Sequence, residues 1–336
     1  MTKLRVGIFG AGAIGAYVGV RLAAAGCSVV LVGRRRLVEM ARDLSARNVR
    51  GDVARPSPDT SLTAVEVPSA LAATDVILVA VKSPDTPAAV EGLRGVVGPD
   101  SLVVSLQNGL GNADVLRSLP AEVVPGVVAF NVVWDGANLE QTVGGPILVG
   151  SSGHPVLPRL LEALRLAKEE AGVRKDIEAV QMGKLLLNLN NGVCAVAGAP
   201  LAASFASKPL LRAYAACLRE GLEVAAASHH PVASIGRLSP PLIARLLSLP
   251  HPVVRRLVGL MVQADPRARS STLQDLDRGK RTEIDHLNGE IVRLAEEAGL
   301  SAPANRFVTE RVHELEAQEV LRFLTPEELL RGIRGA

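Results

Sequence analysis

Aromatic residues are nearly missing from this chain: Phe, Tyr and Trp together make up 2% of its 336 residues. A core must therefore be built from Ala, Val and Leu, and base-stacking platforms for single-stranded nucleic acid are not expected. Cysteine is scarce too. Cys27, Cys194 and Cys217 are far apart, odd in number and set in apolar surroundings. They offer no disulfide framework and no metal-ligand spacing, so they read as buried thiols and no metal site is expected. Charge of one sign is also lacking, with 37 basic and 34 acidic residues giving a net +3. That balance implies no nucleic-acid partner, although it helps attract a small anion. No apolar run reaches membrane-spanning length without charges or turns. A strand begins almost at the first residue, leaving no room for a secretory leader. The expectation is a soluble, cytoplasmic protein with no membrane partner.

Hydrophobic residues make up 48% of the chain, enough for a sizeable core, and the length suits two domains. Apolar runs at Leu4–Phe9, Cys27–Val32, Asp75–Val81, Ser101–Leu106, Val123–Val133 and Pro146–Val149 read as buried strands. Helical patterns fall between several of them, such as Ala13–Ala25 ended by Gly26. Strands alternating with helices predict an α/β, Rossmann-type doubly wound sheet. From Pro158 onward the strand signal stops and long Leu/Ala-rich helical stretches take over. The expected division is a nucleotide-binding domain over residues 1–172 and an all-helical substrate domain over 173–336. Residues 230–265 carry several prolines and read as one or two short helices in an insertion. "TEIDHLNGEIVRLAEEAG" reads as the last clear helix, with Ile284, Leu287, Ile291 and Leu294 on one face.

Gly10, Gly12 and Gly15 form G-x-G-x-x-G directly between the first strand and the first helix. Gly10 permits a tight turn, Gly12 lets the backbone approach a pyrophosphate, and Gly15 allows close helix–strand packing. The first helical residues, Ala13 and Ile14, sit where N–H groups and the positive dipole end face the phosphates. An acid commonly ends the second strand and holds the adenosine ribose of NAD. Here the chain reads Gly33-Arg34-Arg35-Arg36. A guanidinium can fork onto a 2′-phosphate, so the expected cofactor is NADPH, with Arg34 nearest the strand end. Arg35 and Arg36 read equally well as a solvated face.

Polar residues out of place on apolar elements mark a reaction site. Lys184, Asn188 and Asn191 in "GKLLLNLNN" fall at i, i+4 and i+7, one face of a helix otherwise rich in leucine. Asn108 in "SLQNGLGN" and Lys82 after "ILVAV" follow sheet strands, on the rim where open α/β sheets bind ligands. Ser271 and Glu283 lie in "SSTLQDLDRGKRTEIDHLNG", with Glu283 expected in the first turn of the last helix. The histidines show no partner spacing for a metal or a nucleophilic triad.

These stretches, with "GAGAIGAYVGVRLAAAG", "VKS" and "APAN", occur in an order that resembles the ketopantoate reductase (2-dehydropantoate 2-reductase) family over nearly the whole chain. The resemblance implies a Rossmann domain followed by a helical domain of the 6-phosphogluconate dehydrogenase C-terminal type, with the active site between them. It implies NADPH-dependent reduction of 2-dehydropantoate, a small anionic 2-oxoacid, to pantoate, for pantothenate and coenzyme A synthesis. Lys184 would be the general acid, and Glu283 would orient it and the substrate hydroxyl. Ser271, Asn188 and Asn191 would hold the substrate, and Asn108 and Lys82 would lie near the nicotinamide. The chain departs from the family's pattern in three places. Gln181-Met182-Gly183 stands where an aromatic or arginine commonly precedes the lysine. Gly192 takes the place of a second asparagine. The 230–265 stretch is longer than in compact members, which would lengthen the helical domain, reshape the pocket or form a homodimer surface. A paralogous reductase of another 2-oxoacid or imine keeps the same lysine and glutamate. A non-catalytic NADPH-binding regulator would have no need of a proton donor.

Overall fold

A computed structural model describes residues 3–56, 62–236, 239–254, 256 and 269–335. The chain divides into two compact units, Met1–Ile177 and Glu178–Ala336.

The first unit opens with β1 (Arg5–Phe9), α1 (Ala13–Ala24), β2 (Ser28–Val32), α2 (Arg35–Met40), β3 (Ser45–Arg47), β4 (Val53–Ala54) and β5 (Leu62–Val65). It continues with β6 (Val76–Val79), α3 (Thr86–Leu93), β7 (Leu102–Ser105), α4 (Asn112–Leu116) and β8 (Glu122–Val128). It closes with β9 (Asn131–Asp135), β10 (Asn138–Val143), β11 (Ile147–Gly150), α5 (Val156–Leu166) and β12 (Ala171–Arg174). Eight strands form one sheet in the order β12-β11-β8-β7-β6-β1-β2-β5. The run from β5 to β8 is parallel throughout. Its order reverses between β1 and β6, and ligands bind such sheets in the crevice outside the carboxyl ends of the strands at that reversal. The continuous apolar runs follow from burial on both faces: all four residues of β6 and all four of β7 are buried.

Two features of this unit depart from the sequence reading. Val123–Val133 is two strands in different sheets. β8 stays in the large sheet, while β9 joins a small sheet ordered β4-β3-β10-β9. The short β12 also extends the large sheet beyond residue 158, pairing in parallel with β11.

The small sheet explains why α1 is apolar all round. Gly15 through Ala23 are all buried, and Ala46, Val132 and Leu139 of the small sheet share one core with Tyr17, Val18 and Leu22. Arg21 is 2% exposed inside this helix. Its Nε lies 2.8 Å from Glu169 Oε1, and its guanidinium donates to the carbonyls of Ala167 (2.6 Å) and Asp52 (3.1 Å). The Tyr17 hydroxyl donates to the same carboxylate at 2.9 Å. This buried ion pair fixes α1 to the turn between α5 and β12.

The second unit is helical among its described residues, apart from a single bridge residue at Ile235. It is built on α6 (Ile177–Val196), α7 (Ala203–Ala206), α8 (Lys208–Ala227), α9 (Pro240–Leu247), α10 (Ser271–Asp277), α11 (Asn288–Glu297), α12 (Pro303–Glu316) and α13 (Pro326–Gly335). The 230–265 stretch contains α9, while residues 237, 238, 255 and 257–265 lie outside the described set. Asn305 ties the helices together: its amide donates to the Cys217 carbonyl (3.0 Å) and Glu220 (2.9 Å) and accepts from Asn288 (3.0 Å). The Glu220 carboxylate also accepts from the Ala304 and Asn305 N–H groups at the start of α12. Cys27, Cys194 and Cys217 are buried and free.

Candidate active site

The predicted residues form two sets, one in each unit. In the first unit the glycine turn lies at the point where strand order reverses. Gly10 has φ of 92°, and a Cβ there would meet the Val81 nitrogen at 2.6 Å. A Cβ on Gly15 would sit 2.5 Å from the Gly10 carbonyl oxygen and 2.9 Å from Ile8, so glycine alone lets α1 approach β1. Gly12 is different, because among the described residues nothing beyond its own chain neighbours lies within 4 Å of its Cβ position. The first hydrogen bond of α1 runs from the Ala16 N–H to the Gly12 carbonyl at 2.8 Å. The N–H groups of Ala13, Ile14 and Gly15 precede it and have no acceptor within the helix. An open cradle beside a helix N-terminus fits a pyrophosphate.

At the end of β2, a Cβ on Gly33 would lie 2.6 Å from the end of the Leu37 side chain, so a side chain there, a carboxylate included, would require Leu37 to move. Arg34 follows as the exposed N-cap of α2. Arg35 is spent locally on Glu39 at 3.0 Å, while Arg36 is exposed.

Lys82 and Asn108 follow β6 and β7 on the carboxyl rim, both half-buried. A buried polar knot missed by sequence reasoning holds their loops. The Asn108 carbonyl accepts from Ser83 Oγ (2.9 Å) and Asn112 Nδ2 (2.7 Å). Asn112 Nδ2 also donates to Ser83 Oγ (3.1 Å), and its Oδ1 lies 2.8 Å from the Thr86 hydroxyl. Gln107 Nε2 donates to that hydroxyl at 2.7 Å. The signal was present in "SLQNGLGN": polar residues at the end of a fully buried strand must satisfy one another once buried.

In the second unit, α6 carries Lys184, Asn188 and Asn191 on one stripe. All three are half-buried, with Leu185, Leu186 and Leu189 buried behind them. Burial lowers the Lys184 pKa from 10.5 to about 8, and the nearby negative charge of Glu283 acts in the opposite direction. Glu283 is half-buried, but it does not begin an α-helix. It caps a single 3₁₀ turn, Ile284–His286, ahead of α11. Ile284 and Leu287 are both buried, a spacing of three that satisfies a 3₁₀ turn as well as an α-helix. Ser270 is the N-cap of α10: its hydroxyl accepts from the Leu273 N–H (3.2 Å) and donates to the Asn191 carbonyl (3.1 Å). That bond brings Ser271, the first residue of α10, to the α6 stripe. Gly192 has a physical reason. A Cβ there would fall 2.5 Å from Asn288 Oδ1 and 2.7 Å from Val308, so no asparagine fits. The stripe thus assembles a cation of lowered proton affinity, a carboxylate and neutral hydrogen-bonding groups, which can give a proton to a developing oxyanion. Among the described residues no helix is long and apolar enough to cross a membrane, and no cluster of His, Cys, Asp or Glu could hold a metal ion.

The family model described as ketopantoate reductase PanE/ApbA matches residues 6–153, and the model of that family's C-terminal part matches residues 176–316. Among curated relatives, a 2-dehydropantoate 2-reductase from Archaeoglobus fulgidus is 27% identical over 330 residues, covering 94% of this chain and 99% of the relative. One from Halobacterium salinarum is 29% identical, covering 92% and 98%. The crystal structure of a PanE/ApbA family ketopantoate reductase from Ralstonia eutropha is 30% identical, with a TM-score of 0.79 over 94% of this chain and 99% of that one. A D-mandelate dehydrogenase solved with NADH and anilino(oxo)acetate shares the fold at 21% identity, with a TM-score of 0.75 over 94% and 99%.

Proposed function

The chain belongs to the ketopantoate reductase family, and from that premise we propose that it reduces 2-dehydropantoate to pantoate with NADPH, as a step toward pantothenate and coenzyme A. The observation that carries this reading is the Lys184 ammonium, set in a leucine-rich helix with its pKa lowered to about 8. It is still mostly protonated at neutral pH, yet it gives up its proton more readily than a solvated lysine.

A bound nicotinamide would supply the hydride that the ketone carbon takes up. Negative charge then grows on the ketone oxygen, and Lys184 Nζ stabilises it and delivers the proton that completes the alcohol. The Glu283 charge keeps Lys184 protonated until that moment and aims it at the oxygen. Asn188 and Ser271 offer neutral hydrogen bonds to the polar groups of the substrate, and the backbone at Asn191 fixes the helix that bears Ser271. Gly10, Gly12, Ala13, Ile14 and Gly15 would receive the pyrophosphate, and Arg34 would take the 2′-phosphate. Asn108 and Lys82, on the carboxyl rim of the sheet whose loops the polar knot holds, would flank the nicotinamide.

The test is turnover of a panel of 2-oxoacids with NADPH and with NADH. Fastest turnover with 2-dehydropantoate and NADPH, and an Arg34→Ala variant that loses affinity for NADPH but not NADH, support the proposal. Turnover of a different 2-oxoacid would move the substrate to that of a paralogue. NADPH binding without turnover of any 2-oxoacid would make the protein a regulator.

A further inference from the structure

Glu283 stands between residues whose bonds lead to another helix. Thr282 is buried, and its N–H donates to Glu316 Oε1 at 2.6 Å. Thr282 Oγ1 in turn accepts from the Ile284 N–H at 3.2 Å, and the Glu283 carbonyl accepts from the His286 N–H at 2.9 Å. Asp285 Oδ1 lies 2.8 Å from His313 Nε2, and His313 Nδ1 lies 3.2 Å from Glu316 Oε2. His313 and Glu316 both belong to the last turn of α12. The same 3₁₀ turn also rests on α6. A Cβ at Gly192 would meet Ile284 Cδ1 at 3.0 Å, and Asn288 Nδ2 donates to the Leu189 carbonyl at 3.5 Å. The main chain that bears Glu283 is therefore tied to α12 and packed on α6, the helix of Lys184.

A glutamate that ends a helix meets the negative end of its dipole, so no local rule places Glu316 there. Its gain is the Thr282 bond, in which a half-buried carboxylate accepts from a buried main-chain N–H. Such a charge-assisted contact is a strong one. The His313–Asp285 contact is more exposed and adds less. We propose that Glu316 is a positioning residue for Glu283: it fixes the main chain one residue before Glu283 and so keeps that carboxylate beside Lys184, with His313 bracing Glu316 and Asp285. What Glu283 does for Lys184 in the reaction rests on the function proposed above, whereas its placement by Glu316 does not. His313, which no sequence spacing marked, gains a role through two carboxylates on different elements.

The experiment is competitive labelling of lysines with an amine-reactive reagent across pH, read at Lys184 by mass spectrometry in the whole protein without substrate. The wild-type Lys184 should titrate at about 8. Glu283→Gln removes the charge that favours the ammonium, so the midpoint should fall by about half to one pH unit. Glu316→Ala should give about half of that fall or more, and no further fall in the Glu283→Gln background, because it acts through Glu283. Glu316→Asp, one methylene short of Thr282, should act the same way and serves where the alanine variant does not fold. Glu316→Gln should restore the wild-type midpoint, since its amide oxygen still accepts from Thr282 and its amide nitrogen still meets His313. A merely structural loosening would admit water and move the midpoint up, not down. An unchanged or raised midpoint in folded Glu316→Ala or Glu316→Asp would overturn the proposal. So would an equal fall in the Glu283→Gln background, or a Glu283→Gln midpoint equal to that of the wild type. Absence of turnover with every 2-oxoacid would defeat the proposed reaction and leave this test intact. In an active enzyme, kcat of Glu316→Ala should drop about tenfold with NADPH affinity unchanged.

Discussion

Replacing Lys184 with Met should stabilise the protein while removing its proton donor. Burial lowers this lysine from 10.5 to about 8. At 1.36 kcal/mol per pH unit, holding the ammonium charged in the folded state costs about 3 kcal/mol. The sign follows from proton binding. Between pH of about 8 and 10.5 the unfolded chain holds the lysine proton and the folded chain does not, so wild-type stability rises with pH across that window. Below it the full cost is present, and above it the cost vanishes. Methionine keeps the unbranched stem without the charge. The half-buried Glu283 loses a cationic neighbour, so the net gain at pH 7 should be about 1–3 kcal/mol. Urea unfolding of the wild type and Lys184→Met at pH 7 and at pH 10 measures it, with the variant's advantage shrinking at the higher pH. A variant that is less stable at pH 7, or an advantage equal at both, would refute the reasoning.

Other outcomes follow from particular contacts. Gly12→Ala should leave the thermal midpoint unchanged yet weaken binding of the dinucleotide, because its Cβ meets nothing among the described residues. Gly15→Ala should lower both, because its Cβ lies 2.5 Å from the Gly10 oxygen; calorimetry with and without NADPH separates the two. Glu169→Gln keeps an acceptor for Tyr17 but strips the charge facing buried Arg21, and chemical denaturation should show a loss of about 3–5 kcal/mol. Asn112→Ala strands polar groups of the rim knot, and the same assay should show a loss of about 1–3 kcal/mol.

The nucleotide turn was legible because each step of β1–α1–β2 obeys a local rule: a buried apolar run, three glycines at fixed spacing and a glycine stop at Gly26, where φ is 97°. The α6 stripe was legible for the same reason, since a helix repeats itself locally. What escaped depends on partners distant in sequence. The chain changes sheets between Val128 and Asn131 without a turn signal, so two strands read as one. β12 lies in "EEAGVRKD", where charge hides a strand that is apolar only at Ala171 and Val173. The Arg21–Glu169 pair spans 148 positions. Only the oddity of an arginine inside an apolar helix hinted at a buried partner, and no spacing rule names it. Gly183 and Gly192 stood out as departures from a pattern. Their reasons, the Ala233 backbone and the Asn288 side chain, exist only in three dimensions.

The central claim is that Lys184 delivers the proton in a 2-oxoacid reduction. Its most direct test is single-turnover oxidation of bound NADPH by 2-dehydropantoate in wild type and Lys184→Met, with NADPH affinity measured on the same samples. The account predicts a fall of about 100- to 10,000-fold in the rate with the NADPH dissociation constant unchanged. A Lys184→Met enzyme that turns over within tenfold of wild type would contradict it.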